Sequence, residues 1–271
     1  MRDIVLSSGV RSNLLQLQQT SDLITQTQTR LATGKRVNSA LDNPINFFTA
    51  QGLSVRANDL NSLLDSMTTG INTINAANNG ISAITKLVQS AQSLVSQAQQ
   101  TSDTATRAGL ATQFDQIRSQ IDQLAQDSGF NGINLLNGDN LTVTLNETGK
   151  SSVTISGVTD TTASKLAISA SSNNWAGATD ISTASTALTS ALTTLRSQAQ
   201  TLGSSLSTVQ IRQDFTKATI NTLQTGANDL TLADSNQEGA NLLALQTRQQ
   251  LSTTALSLAS QADQNVLRLF Q

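Results

Sequence analysis

Residues 53–95, LSVRANDLNSLLDSMTTGINTINAANNGISAITKLVQSAQSLV, decide the fold. A step of 3.5 residues from Leu53 meets Ala57, Leu60, Leu64, Met67, Ile71, Ile74, Asn78, Ile81, Thr85, Val88, Gln92 and Val95, and ten of these thirteen positions are apolar. That period belongs to a helix whose apolar seam stays against a partner over many turns. A second row, Leu63, Ile84, Leu87, Ala91 and Leu94, runs beside the first, so neighbours are expected on more than one side. Asn78, Thr85 and Gln92 are the exceptions. An Asn on such a seam either fixes register or faces solvent where the seam drifts, and the sequence leaves both readings open for Asn78. Running from Pro44 to about Gln99, the helix would span roughly 80 Å, longer than a compact domain of this mass is wide.

Outward from this helix the chain stays helical at both ends. Val10, Leu14, Leu17, Ser21, Ile24, Gln28 and Leu31 follow the same step and stop at Ala32-Thr33-Gly34-Lys35, where Gly34 can adopt the left-handed backbone that ends helices. Asn43 is placed to cap the next helix and Pro44 suits its first turn. After Thr101-Ser102-Asp103, a return helix keeps apolar spacing at Leu110, Phe114, Ile117, Ile121 and Leu124, and Asp127-Ser128-Gly129 closes it. The period then changes. Leu141–Leu145 and Val153–Ile155 alternate around the turn Glu147-Thr148-Gly149-Lys150, which predicts a β-hairpin. The Ser, Thr, Ala and Gly-rich stretch 156–180, with Trp175 in it, reads as exposed loop and short strands. Helix resumes near Ile181, with eleven apolar residues among thirteen stepped positions from Leu188 to Leu230. A polar stretch, Ala233–Gly239, precedes a last helix expected from about Asn241 to Leu269.

These lengths predict a mainly α fold. It is a long antiparallel coiled-coil helical rod with its termini together and a small central β-hairpin region at the far end. The expected parts are 1–33 with 240–271, 34–129 with 181–239 (joined through a connector at 34–43 that holds Gly34, Asn43 and Pro44), and the solvent-facing insertion 130–180. Leu60, Leu64, Ile71, Leu195, Leu202 and Leu223 are expected in the core of one chain. A terminal helix of about 30 residues with a narrow seam is marginal alone. Leu14, Leu17, Ile24, Leu31, Leu251, Leu258, Val266 and Leu269 are therefore expected to be shared between copies, with Phe270 as an anchor near the end.

Composition removes most chemistry. Charged residues are 13% and hydrophobic residues 37%, against about 25% and 45–50% (Gly included) in ordinary domains. Roughly 44% is Ser, Thr, Asn and Gln, groups that hydrogen-bond between neighbours without burying charge. There is no His and no Cys, so zinc sites, Ser-His-Asp or Cys-His nucleophiles and disulfides are excluded. Asp234 and Glu238, at i and i+4, are expected to be merely solvated. No catalytic residue, cofactor or metal site is expected. A net charge of −2, one Trp and no Tyr argue against nucleic-acid binding. No apolar run is long enough to span a membrane, and Met1–Ser7 turns polar too soon for a secretory signal.

Three stretches carry a family resemblance: Arg30-Leu31-Ala32-Thr33-Gly34-Lys35-Arg36-Val37-Asn38-Ser39-Ala40-Leu41-Asp42-Asn43-Pro44; Phe130-Asn131-Gly132-Ile133-Asn134-Leu135-Leu136-Asn137-Gly138; and the end, from Ala244-Leu245-Gln246-Thr247-Arg248-Gln249-Gln250-Leu251 to Asn265-Val266-Leu267-Arg268-Leu269-Phe270-Gln271. In this order they resemble the bacterial flagellins, and chains of this compactness resemble those of alphaproteobacteria. The resemblance implies a filament subunit exported by the flagellar type III route and polymerised outside the cell. Its terminal helices would form an inner tube, its long middle helices the wall, and Gly34 would lie in the bent connector between them. Implied partners are further copies of itself, sibling flagellins, and the export chaperone, cap and junction proteins. Flagellins sensed by the flagellin-detecting Toll-like receptor carry charges where this chain has Ser90, Gln92 and Ser93, so weak or absent sensing is implied, although Gln89, Leu94 and Gln97 remain. The rival readings are a hook–filament junction protein of the same family and a secreted coiled-coil effector or adhesin.

Overall fold

The computed structural model describes residues 8–159 and 161–269. Among them run five long helices, α1 (Ser8–Thr33), α2 (Pro44–Gln100), α3 (Thr104–Asp127), α4 (Ala178–Thr231) and α5 (Ser235–Leu269). Strands β1 (Leu141–Thr144) and β2 (Ser152–Ile155) lie between α3 and α4 and pair antiparallel, with Leu141 opposite Ile155 and Val143 opposite Val153. The fold is mainly α with one small hairpin. It divides into two units, one built from residues up to Arg56 and from Thr222 onward, the other from Ala57 to Asn221.

In the Ala57–Asn221 unit, α2 shows why its seam tolerates polar residues. Met67, Ile74, Ile81, Val88 and Val95 are fully buried, whereas Leu64, Ile71, Asn78, Thr85 and Gln92 are only half-buried. Each set repeats every seven residues, and the three exceptions all fall on the shallower row. Asn78 is thus a seam-edge residue. Thr85 offsets the burial of its hydroxyl by donating to the Ile81 carbonyl at 2.7 Å. A further buried row, Ala77, Ile84, Ala91 and Ala98, extends this face. It joins Phe114 and Ile121 of α3 and Leu188, Leu195, Leu202 and Val209 of α4 in one core. Of the six residues expected in the core, Leu60, Leu195 and Leu202 are buried and Leu64, Ile71 and Leu223 half-buried.

Two helical glycines on α2 permit close approach. A Cβ at Gly70 would lie 2.7 Å from Val143 Cγ2, so the hairpin rests on bare helix backbone. One at Gly80 would lie 2.7 Å from both Ser128 Cβ and Leu136 Cδ1, where the end of α3 and the 3₁₀ turn Leu135–Asn137 press against α2.

The stretch expected as exposed loop and short strands, 156–180, behaves otherwise. Thr161, Ala163, Leu166, Ile168 and Trp175 are buried, and no strand forms among its described residues. The stretch is a strap tied to the polar face of α3. Asp122 accepts from the Ala163 N–H at 2.8 Å. Asp115 accepts from the Ser171 N–H at 3.0 Å and from its hydroxyl at 2.6 Å. Arg118 donates to the Ile168 carbonyl at 2.8 Å. These bonds satisfy backbone groups that a strand ladder would otherwise take. Trp175 then stacks at a tilt on Phe114, with ring centroids 5.0 Å apart.

In the other unit α1 packs on α5. Gly34 ends α1 with φ +67°, and beyond it Arg36 and Val37 both donate their N–H groups to the Thr231 carbonyl, at 2.7 and 3.2 Å. Asn43 caps α2 by accepting from the Asn46 N–H at 3.0 Å, with Pro44 as the first helical residue. Asp42 accepts from the N–H groups of Asn38 and Ser39 at 3.0 and 2.9 Å, and these bonds hold its pKa below the ordinary 3.8. Helix α5 starts at Ser235, six residues before the expected Asn241. Asp234 is the reason: its Oδ1 accepts from the N–H groups of Asn236 and Gln237 at 2.9 and 3.2 Å, which carries the helix through residues that read as loop.

Candidate assembly surface

The α1–α5 pair buries a narrow and partly polar seam. On α1 the buried side chains are Val10, Thr20, Ile24 and Thr27. Thr20 satisfies its hydroxyl locally by donating to the Gln16 carbonyl at 2.8 Å, so a small polar residue costs little there. Among the positions singled out in sequence, Ile24 is therefore covered within the chain, and Leu17 and Leu31 are half-buried. Leu14, Leu251 and Leu258 remain 39%, 67% and 62% exposed. The side chains of Val266 and Leu269 lie outside the described residues, as does Phe270. Leu15, Leu23 and Leu243 are exposed too and were missed, because each falls off the 3.5-residue row. These large apolar side chains stand in solvent on two helices that are already paired with each other.

An ion pair ties the two helices together. Arg30 donates to Glu238 Oε1 at 3.2 Å. Glu238 is only 7% exposed, which corrects the expectation of a merely solvated carboxylate; Asp234 is the exposed one, and it caps α5. Sequence spacing paired Glu238 with the wrong residue, since its partner lies 208 positions away. Arg30 Nε and Glu238 Oε2 are buried without a hydrogen-bond partner, so the pair is half-satisfied. An open groove of about 320 Å³ lies alongside, lined in part by Gln26, Thr27, Asn241 and Arg248.

Among the described residues no cluster of His, Cys, Asp or Glu is placed to hold a metal ion, and no helix is long and apolar enough to cross a membrane. What the geometry offers is long helices with apolar rows on their outer faces. The family model for the bacterial flagellin N-terminal helical region matches residues 9–141, and that for the C-terminal helical region matches 185–270. The chain belongs to the bacterial flagellin family. Flagellin FljM of Caulobacter vibrioides is 34% identical over 100% of this chain and 99% of its own length. The flagellin of Brucella melitensis is 28% identical over the full length of both chains. The crystal structure of Bacillus cereus flagellin aligns at a TM-score of 0.48 and 18% identity, over 57% of this chain and 88% of that one.

As a flagellin, the chain is a structural subunit of the bacterial flagellar filament, exported to the cell exterior and built into a polymer of like subunits. The two flagellin matches leave out residues 142–184, the span that holds the body of the hairpin and the whole strap. The two family models thus fall on the largely helical parts of the chain, whereas FljM aligns with the middle as well.

Proposed function

We propose that copies of this flagellin assemble through the outer faces of α1 and α5, with Leu14, Leu17, Leu31, Leu251 and Leu258 as the contact set and Val266, Leu269 and Phe270 added to it from the sequence, while Ile24 stays inside the α1–α5 pair. The observation that carries this reading is the exposure of Leu14, Leu251 and Leu258 on helices already paired with each other. In this reading α1 and α5 form an inner tube, α2, α3 and α4 form the surrounding wall, and Gly34, Asn43 and Pro44 set the angle of the connector. The subunit performs no catalysis and uses no cofactor. It engages sibling flagellins and the export chaperone, cap and junction proteins, and neither nucleic acid nor membrane. Sensing by the flagellin-detecting Toll-like receptor is weak or absent, because Ser90 and Ser93 put hydroxyls rather than charges on the exposed face of α2.

Seeded polymerisation followed by light scattering and electron microscopy tests the contact set. Wild-type chain is expected to grow long tubes from seeds. Leu251→Ser and Leu258→Ser should raise the critical concentration severalfold while leaving the monomer folded, since both side chains already face solvent there. Growth of these variants at wild-type concentration would refute the contact set. Activation of receptor reporter cells by monomer at the potency of a sensed flagellin would overturn the receptor reading.

A further inference from the structure

A second apolar surface lies outside the contact set above. Leu41, Ile45, Phe48 and Val55 are 96%, 77%, 61% and 52% exposed. On α2 the last three fall within one face, because steps of three and seven residues return nearly to the same side of a helix. Phe47 braces Phe48 edge-on, with ring centroids 5.5 Å apart, so the ring is held out rather than free to fold back. On α4, Ile211 and Phe215 form a ridge at i and i+4 that is 66% and 63% exposed.

We propose that the Leu41–Val55 stripe of one copy packs on the Ile211–Phe215 ridge of a second copy. This rests on the filament reading and adds a contact to it. The chain itself leaves both patches uncovered, and solvent-exposed rows of this size on a soluble subunit mark interaction sites. The patches differ from each other, so the contact they make is head-to-tail. Such a contact does not close on itself and generates an open array. Asp214 is already paired with Lys217 at 3.6 Å beside the ridge, and Asp42 is satisfied by its own loop. Six side chains bury a few hundred Å², well under the roughly 1,200 Å² of a stable pairwise interface. One such contact alone is weak. Many in a lattice hold, which is how a subunit stays monomeric until it meets a growing end.

The test uses the absence of cysteine from this chain. The double variant Phe48→Cys/Phe215→Cys, polymerised and then mildly oxidised, is expected to give a ladder of disulfide-linked multimers, and either single variant is not. Phe48→Ser and Phe215→Ser should each raise the critical concentration about tenfold, the ratio that burial of roughly half a phenylalanine side chain supports. Combined, they should cost little more than either alone, since both remove one contact. Thermal melting of each monomer should match wild type. Polymer without the ladder, additive costs, or an intramolecular disulfide in dilute monomer would each overturn the proposal. Failure of wild-type chain to grow from flagellin seeds is a different result: it removes the filament reading and this contact with it.

Discussion

Replacing Gly80 by alanine sets two effects of known size against each other. In the interior of α2, Gly→Ala stabilises a helix by about 1 kcal/mol. Against this, the new methyl would sit 2.7 Å from Ser128 Cβ and Leu136 Cδ1. Neither neighbour can retreat cheaply. Leu136 is fully buried, and Ser128 Oγ donates to the Leu124 carbonyl at 2.6 Å as α3 ends. Overpacking of this kind costs about 1–3 kcal/mol, so Gly80→Ala should come out between neutral and about 2 kcal/mol destabilising once the helix gain is subtracted. Gly109 in α3 is the matched control, because a Cβ there meets nothing within 4 Å. Gly109→Ala should stabilise by about 1 kcal/mol. Both lie in the Ala57–Asn221 unit, where the sole tryptophan, Trp175, is fully buried. Urea unfolding followed by its fluorescence therefore reads the relevant transition. Gly80→Ala stabilised as much as Gly109→Ala would refute the close approach of α3 and the Leu135–Asn137 turn to α2.

Three further outcomes are expected. Arg30→Met should destabilise the unit of the chain ends by about 3 kcal/mol, because it strands a buried Glu238 carboxylate; Arg30→Met/Glu238→Leu should recover most of the loss. Hydrogen exchange of α1 and α5 amides reads this, with Trp175 fluorescence unchanged. Asp103 caps α3, accepting from the Thr106 hydroxyl and from its N–H at 2.8 Å, and these bonds lower its pKa from the ordinary 3.8. A lowered carboxylate pKa adds stability that is complete above about 3.8 and disappears as pH falls through the folded-state value. Asp103→Asn should therefore flatten the acid limb of the α3 unfolding profile, and an unchanged limb would exclude the cap as its source. Asp115→Ala/Asp122→Ala removes the acceptors for Ser171 and Ala163 and should release the strap. The expected signs are red-shifted Trp175 emission and protease cleavage within 161–175, with α3 helicity retained.

The sequence determined whatever depends on local chemistry and period. Heptad repetition placed α1, α2, α3 and α4, because burial of one face repeats with the turn of the helix itself. The Asn43-Pro44 start and the Gly34 stop were legible because capping involves neighbours in the chain. Strict alternation gave β1 and β2, and the flagellin pattern lay in the largely helical spans 9–141 and 185–270, where those signals are densest. Tertiary structure decided the rest. The strap at 156–180 has no period, since its fixed points are carboxylates of α3 some 41 to 56 residues upstream. Glu238 looked solvated because Arg30, which neutralises it, lies 208 residues away. The polar breaks at Asn78, Thr85 and Gln92 became intelligible only when packing showed one heptad row deep and the other shallow. Nor could period distinguish a leucine covered by its own chain from one left in solvent. Ile24 and Leu258 read alike as seam positions, and only the α1–α5 packing buries the first and exposes the second, because exposure depends on which other surfaces are present and not on the residue that bears it.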